Sequence, residues 1–579
     1  MKIRSFLLTL ALGATACTGL KDGTYDLTLL TTNDVHGHFF DSTYVDGNLS
    51  KSLMAVNRII DSVRVADGPE NVVLVDAGDC LQGDNAAYYF NYVDTVPKHI
   101  YSRMVDYMRY DALAWGNHDV ETGHKVYDKV FAEMKAAGVP LLAGNAIRND
   151  NGKTYFPLYT VVRRAGLKVA ILGYTNANIK AWLNESIWSG MHFDPIMDHV
   201  QQDVDRVRAK EKPDVVIAAM HSATGKGDGS ILEAEALDVF RSVRGVDFVV
   251  CAHDHRPHTE QNDTMALVNS GSHCRYVGIG KLSLKVEGKK IVEKKISGGL
   301  IPVFAEKVDT AMRETFHDDY VKVKAFTLQE VGQLKSDLVT RDAYKGMCDY
   351  LNLIHTLQLG CSPAQISIAA PLTYNGTVKA GTLIYNDLFT IYPFENQLYV
   401  VKMTGEEVRR LLEKSYDNWI VTAGKPTDQV LKIQQRDDPR TGQRGWSFIG
   451  RAYNFDSAAG INYTVDVTRP FGERVNIASM ASGQPFEPSK EYFVAMTSYR
   501  ASGGGGLMHA AGIDTDRIDD RVVSRYPEIR DILYNYLKDV GDIDPAVTGD
   551  VARIGSWQFV PAWAGTSIRR DLDLLFPKK

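Results

Sequence analysis

Between residues 115 and 124 the chain reads "WGNHDVETGH", which puts Asn117, His118, Asp119, Glu121 and His124 within ten positions, just after an apolar stretch. Imidazole, carboxylate and amide groups this close serve a metal site, an acid–base pair or a polar turn. Four other clusters share the setting. Asn33-Asp34-Val35-His36 follows "LTLLTT", Gly78-Asp79 follows "VVLVDA", His221 follows "VVIAAM", and His253-Asp254-His255 follows "DFVVCA". A paired divalent-metal centre needs a carboxylate bridging two ions about 3.5–4 Å apart, plus several His, Asp and Asn ligands. This set supplies them. Asp34 and His36, two apart, face one side of an extended segment. Asp79 can bridge, Asn117 offers a neutral carbonyl oxygen, and His221, His253 and His255 complete the shell. Imidazole and carboxylate donors suit Zn, Mn or Fe, and the lack of Cys ligands argues against structural zinc.

Such residues need rigid strands behind them, and residues 24–302 carry the pattern. "YDLTLLTT", "NVVLVDAG", "KVAILGYT", "DVVIAAMH", "VDFVVCAH" and "MALVNSGS" are β-branched or leucine-rich and bounded by polar turns, as buried strands are. Between them lie helical stretches; in "KSLMAVNRIIDSV", Leu53, Val56, Ile60 and Val63 fall on one face. Strand–helix alternation implies an α/β domain, and in open α/β sheets ligands bind beyond the carboxyl ends of strands. One polar strand end is routine; five carrying Asp, Asn or His read together as one site. Residues 303–336 are charged and read as a linker helix or extended connector. A second domain, 337–545, mixes helical patterns with strand runs, and its "RASGGGGLM" reads as a loop that must approach something closely. Residues 546–579 read as a C-terminal extension.

At 579 residues the chain is too long for one ordinary domain. Its 44% hydrophobic and 23% charged content is that of a globular protein, and a net charge of -6 gives no reason to expect a nucleic-acid polymer as partner. Lys2 and Arg4 precede "SFLLTLALGATA" and Cys17, so residues 1–16 read as a signal peptide. Cys17 reads as a lipobox cysteine, with plain periplasmic release as the alternative. Membrane contact is then expected only through that lipid. The six cysteines show no CxxC spacing and read as mostly free, small buried residues.

Taken in order, "NDVHGH", "DAGDCLQG", "WGNHDVETG", "MHSATG" and "CAHDHRPH" resemble the pattern D-x-H … G-D … G-N-H-[DE] … H … G-H-x-H of the calcineurin-like metallophosphoesterases. Within these, the chain resembles the bacterial 5'-nucleotidase and 2',3'-cyclic-nucleotide 2'-phosphodiesterase family over residues 24–545. The resemblance implies a four-layer α/β/β/α sandwich with a smaller C-terminal α/β substrate-binding domain. It implies one ion on Asp34, His36, Asp79 and His255, another on Asp79, Asn117, His221 and His253, and a metal-activated hydroxide attacking a phosphate ester. His255 stands where some members carry Gln, and Ala252 replaces the usual Gly. His118 is then the residue that meets the phosphate. Relatives orient this His by an Asp three residues on; here that position is Glu121, one methylene longer. His38, His124, His258 and His273 read as supporting or surface residues.

In the second domain, Tyr392 in "IYPFEN" and Tyr499 in "SYRASGGGG" match an aromatic clamp for a nucleoside, and stacking tolerates different bases. The "SIAAPLTYNGTVKAG" region lacks the Arg typical of 5'-nucleotidases. "AAP" and "YRASGG" look instead like the cyclic-nucleotide phosphodiesterase/3'-nucleotidase branch. The expectation is an exported, periplasmic or outer-membrane-anchored hydrolase of nucleotide phosphate esters. A phosphoesterase for other esters and a silent surface binding protein are the alternatives. Oligomeric state and metal identity are not legible.

Overall fold

In the computed structural model, residues 19–437, 444–544 and 551–577 are described; the signal-peptide and Cys17 readings fall outside them. Two units emerge, one of residues 1–178 and 187–320, the other of 179–186 and 321–579.

The first unit holds two six-stranded sheets. One runs β14 (Lys290–Pro302), β13 (Tyr276–Glu287), β1 (Gly23–Thr32), β2 (Val72–Asp76), β3 (Ala112–Ala114), β4 (Leu141–Leu142). The other runs β11 (Pro257–Gln261), β12 (Ala266–Ser270), β10 (Phe248–Cys251), β9 (Val215–Met220), β7 (Leu167–Tyr174), β6 (Tyr159–Arg164). A two-stranded ribbon, β5 (Ala146–Arg148) and β8 (Met191–Phe193), stands apart. Strands β1 to β4 are mutually parallel, as are β7, β9, β10 and β12. Their apolar runs are buried throughout because both faces are covered. Leu29, Val73 and Val75 of one sheet meet Ile171, Ile217 and Val250 of the other in a shared core. Helices Ile196–Glu211 and Ala236–Ser242 cover the second sheet through Val200, Val204 and Val239. Leu53–Asp67 and His124–Ala136 cover the first. The result is the four-layer sandwich.

The second unit is built on a five-stranded sheet in the order Ser457–Ala459, Ile366–Ala369, Glu491–Thr497, Gln397–Thr404, Val522–Glu528. Helix Gly405–Trp419 starts from a reciprocal cap. Thr404 Oγ1 accepts from the Glu407 N–H at 3.2 Å, and the Glu407 carboxylate accepts from the Thr404 N–H at 2.8 Å. Residues 303–336 are neither one linker helix nor an extended connector. They form two helices, Thr310–Thr315 and His317–Thr327, and a strand, Glu330–Leu334. The C-terminal residues are no appendage either. Trp557–Val560 pairs in parallel with Ile461–Asp466, and Ile568, Leu572 and Leu575 of helix Ala564–Leu575 complete the core around Trp419. The five cysteines from Cys80 onward are free thiols, and among the described residues no helix is long and apolar enough to cross a membrane.

Candidate metal centre

Each cluster picked out by spacing lies at the carboxyl end of a parallel strand: Asp34 and His36 after β1, Asp79 after β2, Asn117 after β3, His221 after β9, His253 and His255 after β10. Two glycines let these loops touch. A Cβ on Gly78 would lie 2.6 Å from the Gly116 nitrogen, and one on Gly116 would lie 2.2 Å from the Asp79 nitrogen. The two sheets are tied across by Asn33, whose side chain donates to the Gly271 carbonyl at 2.6 Å and accepts from the Ser270 N–H at 2.9 Å.

The residues form two groups with metal-ligand geometry: Asp34, His36 and His255, and Asp79, His221 and His253. In the first, His36 Nε2 and His255 Nε2 lie 3.0 Å apart, with Asp34 Oδ1 3.4 Å from His255 Nε2. In the second, Asp79 Oδ2 and His221 Nε2 lie 3.0 Å apart, both fully buried and neither aligned in a hydrogen bond. Asn117 Oδ1 joins this group, 2.9 Å from His253 Nδ1. Ligand atoms about 2.0–2.2 Å from a shared tetrahedral ion stand a little over 3 Å from one another. The buried, unaligned Asp79–His221 pair at that spacing fits a cation.

The backbone carries the same signal. Asp34, His36, Asp79, His253 and His255 all adopt positive φ, between 48° and 73°. Each costs about 1–3 kcal/mol for a side-chain-bearing residue and persists only where the surroundings over-determine it. The electrostatics are equally tight. Burial and the neighbouring imidazoles push His36 and His253 down to about 3. Burial works against ionised Asp34, but His255 and His221 hold it at about 2. Burial likewise opposes a charge on His221, and Asp79 overcomes it, raising His221 to about 9.

His118 sits at the start of the short helix Asn117–Glu121. Its backbone N–H donates to Asp79 Oδ1 at 2.8 Å, and its Nδ1 lies 2.6 Å from Glu121 Oε2. The longer side chain therefore reaches the imidazole. Asp119, in the same motif, was given no role from sequence. Its buried carboxylate accepts four backbone N–H groups, from Asp79, Cys80, Leu81 and Gly116, and clamps two ligand loops together. His124 turns away, to Asp128 and Ser189.

In the second unit the reading of Tyr392 is corrected. It follows helix Tyr385–Ile391, is 1% exposed, and offers no face to a base. Across Pro393 the chain turns, and half-buried Phe394 meets Tyr453 edge-on at 6.2 Å, which meets Tyr499 at 6.3 Å. Tyr499 lies against Gly504, where a Cβ would stand 2.4 Å from its ring. Buried Arg500 fixes both loops: it pairs with Asp456 at 2.6 Å and donates to the carbonyls of Tyr453 and Gly504. Spacing alone gave no sign of Phe394, Tyr453 or Arg500.

Comparison with known proteins agrees with this architecture. The calcineurin-like phosphoesterase family matches residues 27–257, and the 5'-nucleotidase C-terminal domain matches residues 329–512. The chain is 25% identical to the trifunctional nucleotide phosphoesterase protein of Bacillus subtilis, over 95% of this chain but 40% of that protein. It is 24% identical to the 2',3'-cyclic-nucleotide 2'-phosphodiesterase/3'-nucleotidase of Haemophilus influenzae, over 93% of this chain and 88% of that one. A Staphylococcus aureus crystal structure in complex with alpha-ketoglutarate shares the fold, with TM-score 0.75 and 19% identity over 92% of this chain and 99% of its own. The chain belongs to the calcineurin-like phosphoesterases that carry a 5'-nucleotidase C-terminal domain, a family of phosphoric-ester hydrolases.

Proposed function

We propose that this protein hydrolyses nucleotide phosphate esters outside the cytoplasm, releasing nucleoside and phosphate, with two divalent cations as cofactors. The convergence of two largely buried His/Asp groups, with only His253 and His255 partly open, on strained strand ends carries this reading. Asp34, His36, Asp79 and His255 would hold one cation, and Asp79, Asn117, His221 and His253 the other, with Asp79 shared. When bound, the pair supplies positive charge at the phosphoryl oxygens and a nucleophile available near neutral pH. His118 meets the phosphoryl group through Nε2, because Glu121 engages its Nδ1 and fixes the ring. Asp119 keeps the ligand loops in register while substrate comes and goes. Recognition of the base is assigned to Tyr499 with Phe394 and Tyr453, whose rings give a sequence-tolerant stacking surface. Export rests on the N-terminal signal pattern, with a lipid on Cys17 as the anchor.

A phosphate-release panel tests the proposal: 5'-AMP, 3'-AMP, 2',3'-cyclic AMP and a UDP-sugar, with Zn or Mn and with His118→Ala as control. Release from at least one nucleotide, abolished by chelation and strongly reduced in His118→Ala, is expected. Metal-loaded protein that frees no phosphate from any of them would leave a silent binding protein. Hydrolysis unaffected by Tyr499→Ala would point to a non-nucleotide ester.

A further inference from the structure

His273 lies outside the seven residues assigned to the cations, yet it contacts all three members of the Asp34 group. Its ring stacks on His36, centroids 5.3 Å apart at 28°, and meets His255 edge-on at 5.7 Å and 89°. Its backbone N–H donates to the Asp34 carbonyl at 2.8 Å. The ring is itself locked. Ser272 Oγ stands 2.8 Å from His273 Nδ1. One Arg275 nitrogen donates to Ser272 Oγ at 2.9 Å and to the His255 carbonyl at 2.7 Å, while Arg275 Nε donates to the Ser272 carbonyl at 3.0 Å. His273 and Cys274 both adopt left-handed backbone, φ 55° and 53°. Two consecutive strained residues are kept only where the surrounding structure imposes them.

A second observation says what this lock is for. An imidazole that binds a cation is normally oriented by a hydrogen bond from its outer nitrogen. His36 Nδ1 has the Gln82 carbonyl at 3.0 Å, and His221 Nδ1 has the Ala77 carbonyl at 2.8 Å. Among the described residues His255 has no such carbonyl, and its side chain is 40% exposed where that of Asp34 is 0%. What borders its ring is His36 on one side and the edge of His273 on the other.

We propose that His273, held by Ser272 and Arg275, is a positioning residue that orients the His255 and His36 rings and thereby sets the affinity of the Asp34 group for its cation. This rests on the assignment of a cation to that group, and the test separates the two. Metal-free protein is titrated with Zn2+ by calorimetry. The wild type binds two equivalents, and His36→Ala identifies the one belonging to the Asp34 group. His273→Ala is expected to weaken that equivalent about 10- to 100-fold and leave the other unchanged. Ser272→Ala, which keeps the ring but frees it, is expected to weaken the same equivalent to a smaller extent. A wild type that binds fewer than two equivalents defeats the cation assignment itself. Two equivalents with wild-type affinity in both variants, or a parallel loss at both sites, overturns the role of His273.

Discussion

Asp119→Ala is the substitution whose consequence the structure specifies most fully. Each carboxylate oxygen accepts two backbone N–H groups, Oδ2 from Asp79 and Gly116 at 3.0 Å, and Oδ1 from Cys80 and Leu81 at 2.9 Å. Burial and the charge of Asp79 raise its carboxyl, so the four N–H groups are what keep an anion tolerable there. A hydrogen bond to a charged partner contributes about 1.5–3 kcal/mol, and the four are not additive because the buried carboxylate has a desolvation cost of its own. Asp119→Ala removes the charge and leaves four buried N–H groups without their acceptor, at about 1–3 kcal/mol each before relaxation and water entry, so a net loss of about 3–5 kcal/mol is expected. Asp119→Asn keeps one oxygen but turns an NH2 against two N–H donors, so it should recover little. The loss falls on the loops that hold Asp79 at φ 63° and Gly116 beside it, so cation binding should weaken as well. Urea denaturation of the metal-free protein, followed by the fluorescence of buried Trp115, gives the stability, and calorimetry gives the cation affinity. A transition within about 0.5 kcal/mol of wild type, the range of an ordinary surface change, with both cations still bound, would refute the clamp.

Other consequences follow from single contacts. Glu121→Gln should lower turnover about 100-fold, the low end of what a positioned acid–base group contributes, with cation content unchanged; wild-type turnover would remove Glu121 from the orienting role and leave the cation assignment standing. Gly504→Ala puts a Cβ 2.4 Å from the Tyr499 ring and should raise KM for nucleotides about tenfold, the equivalent of one weakened base stack. Tyr392→Leu, which removes the ring while keeping an apolar side chain in the buried position, should leave KM alone, and a rise there would reinstate the residue at the substrate. Burial pushes His355, between Ser367 and Ser457, down to about 3. Its folded value lies below the unfolded one, so the unfolded chain takes up the proton first. Stability is then lost as pH falls from about 6.5 towards 3, by about 2 kcal/mol at pH 5. His355→Gln should flatten the fall between pH 7 and 5, and parallel curves for variant and wild type would contradict it.

The candidate site was legible because its ligands sit where strands end, and strand ends are marked twice, by an apolar run and by the polar residue that follows. Five such ends in one α/β stretch carried the residue set, while the layer architecture came from the family resemblance. What escaped depends on direction rather than type. Tyr392 and Phe394 are both aromatic and two apart, and only the turn at Pro393 decides which ring is buried. Asp119 stands in the motif without a legible role because its partners are backbone N–H groups, which no side-chain pattern reveals. His273 reads from sequence as a supporting or surface residue, and which ligands it supports stays hidden because His36 and His255 come from two other strand ends. The pairing of Trp557–Val560 with Ile461–Asp466 joins segments nearly a hundred residues apart, and period-2 burial gives a strand without naming its partner.

Two-cation hydrolysis of a nucleotide ester is tested most directly by titrating Zn2+ or Mn2+ into metal-stripped protein while phosphate release from 5'-AMP and 3'-AMP is followed. Release should be absent without cation, rise to a plateau at two bound equivalents, and be lost in Asp79→Ala, which removes the shared carboxylate. No phosphate from any nucleotide at two bound equivalents, or undiminished release in Asp79→Ala, would contradict it.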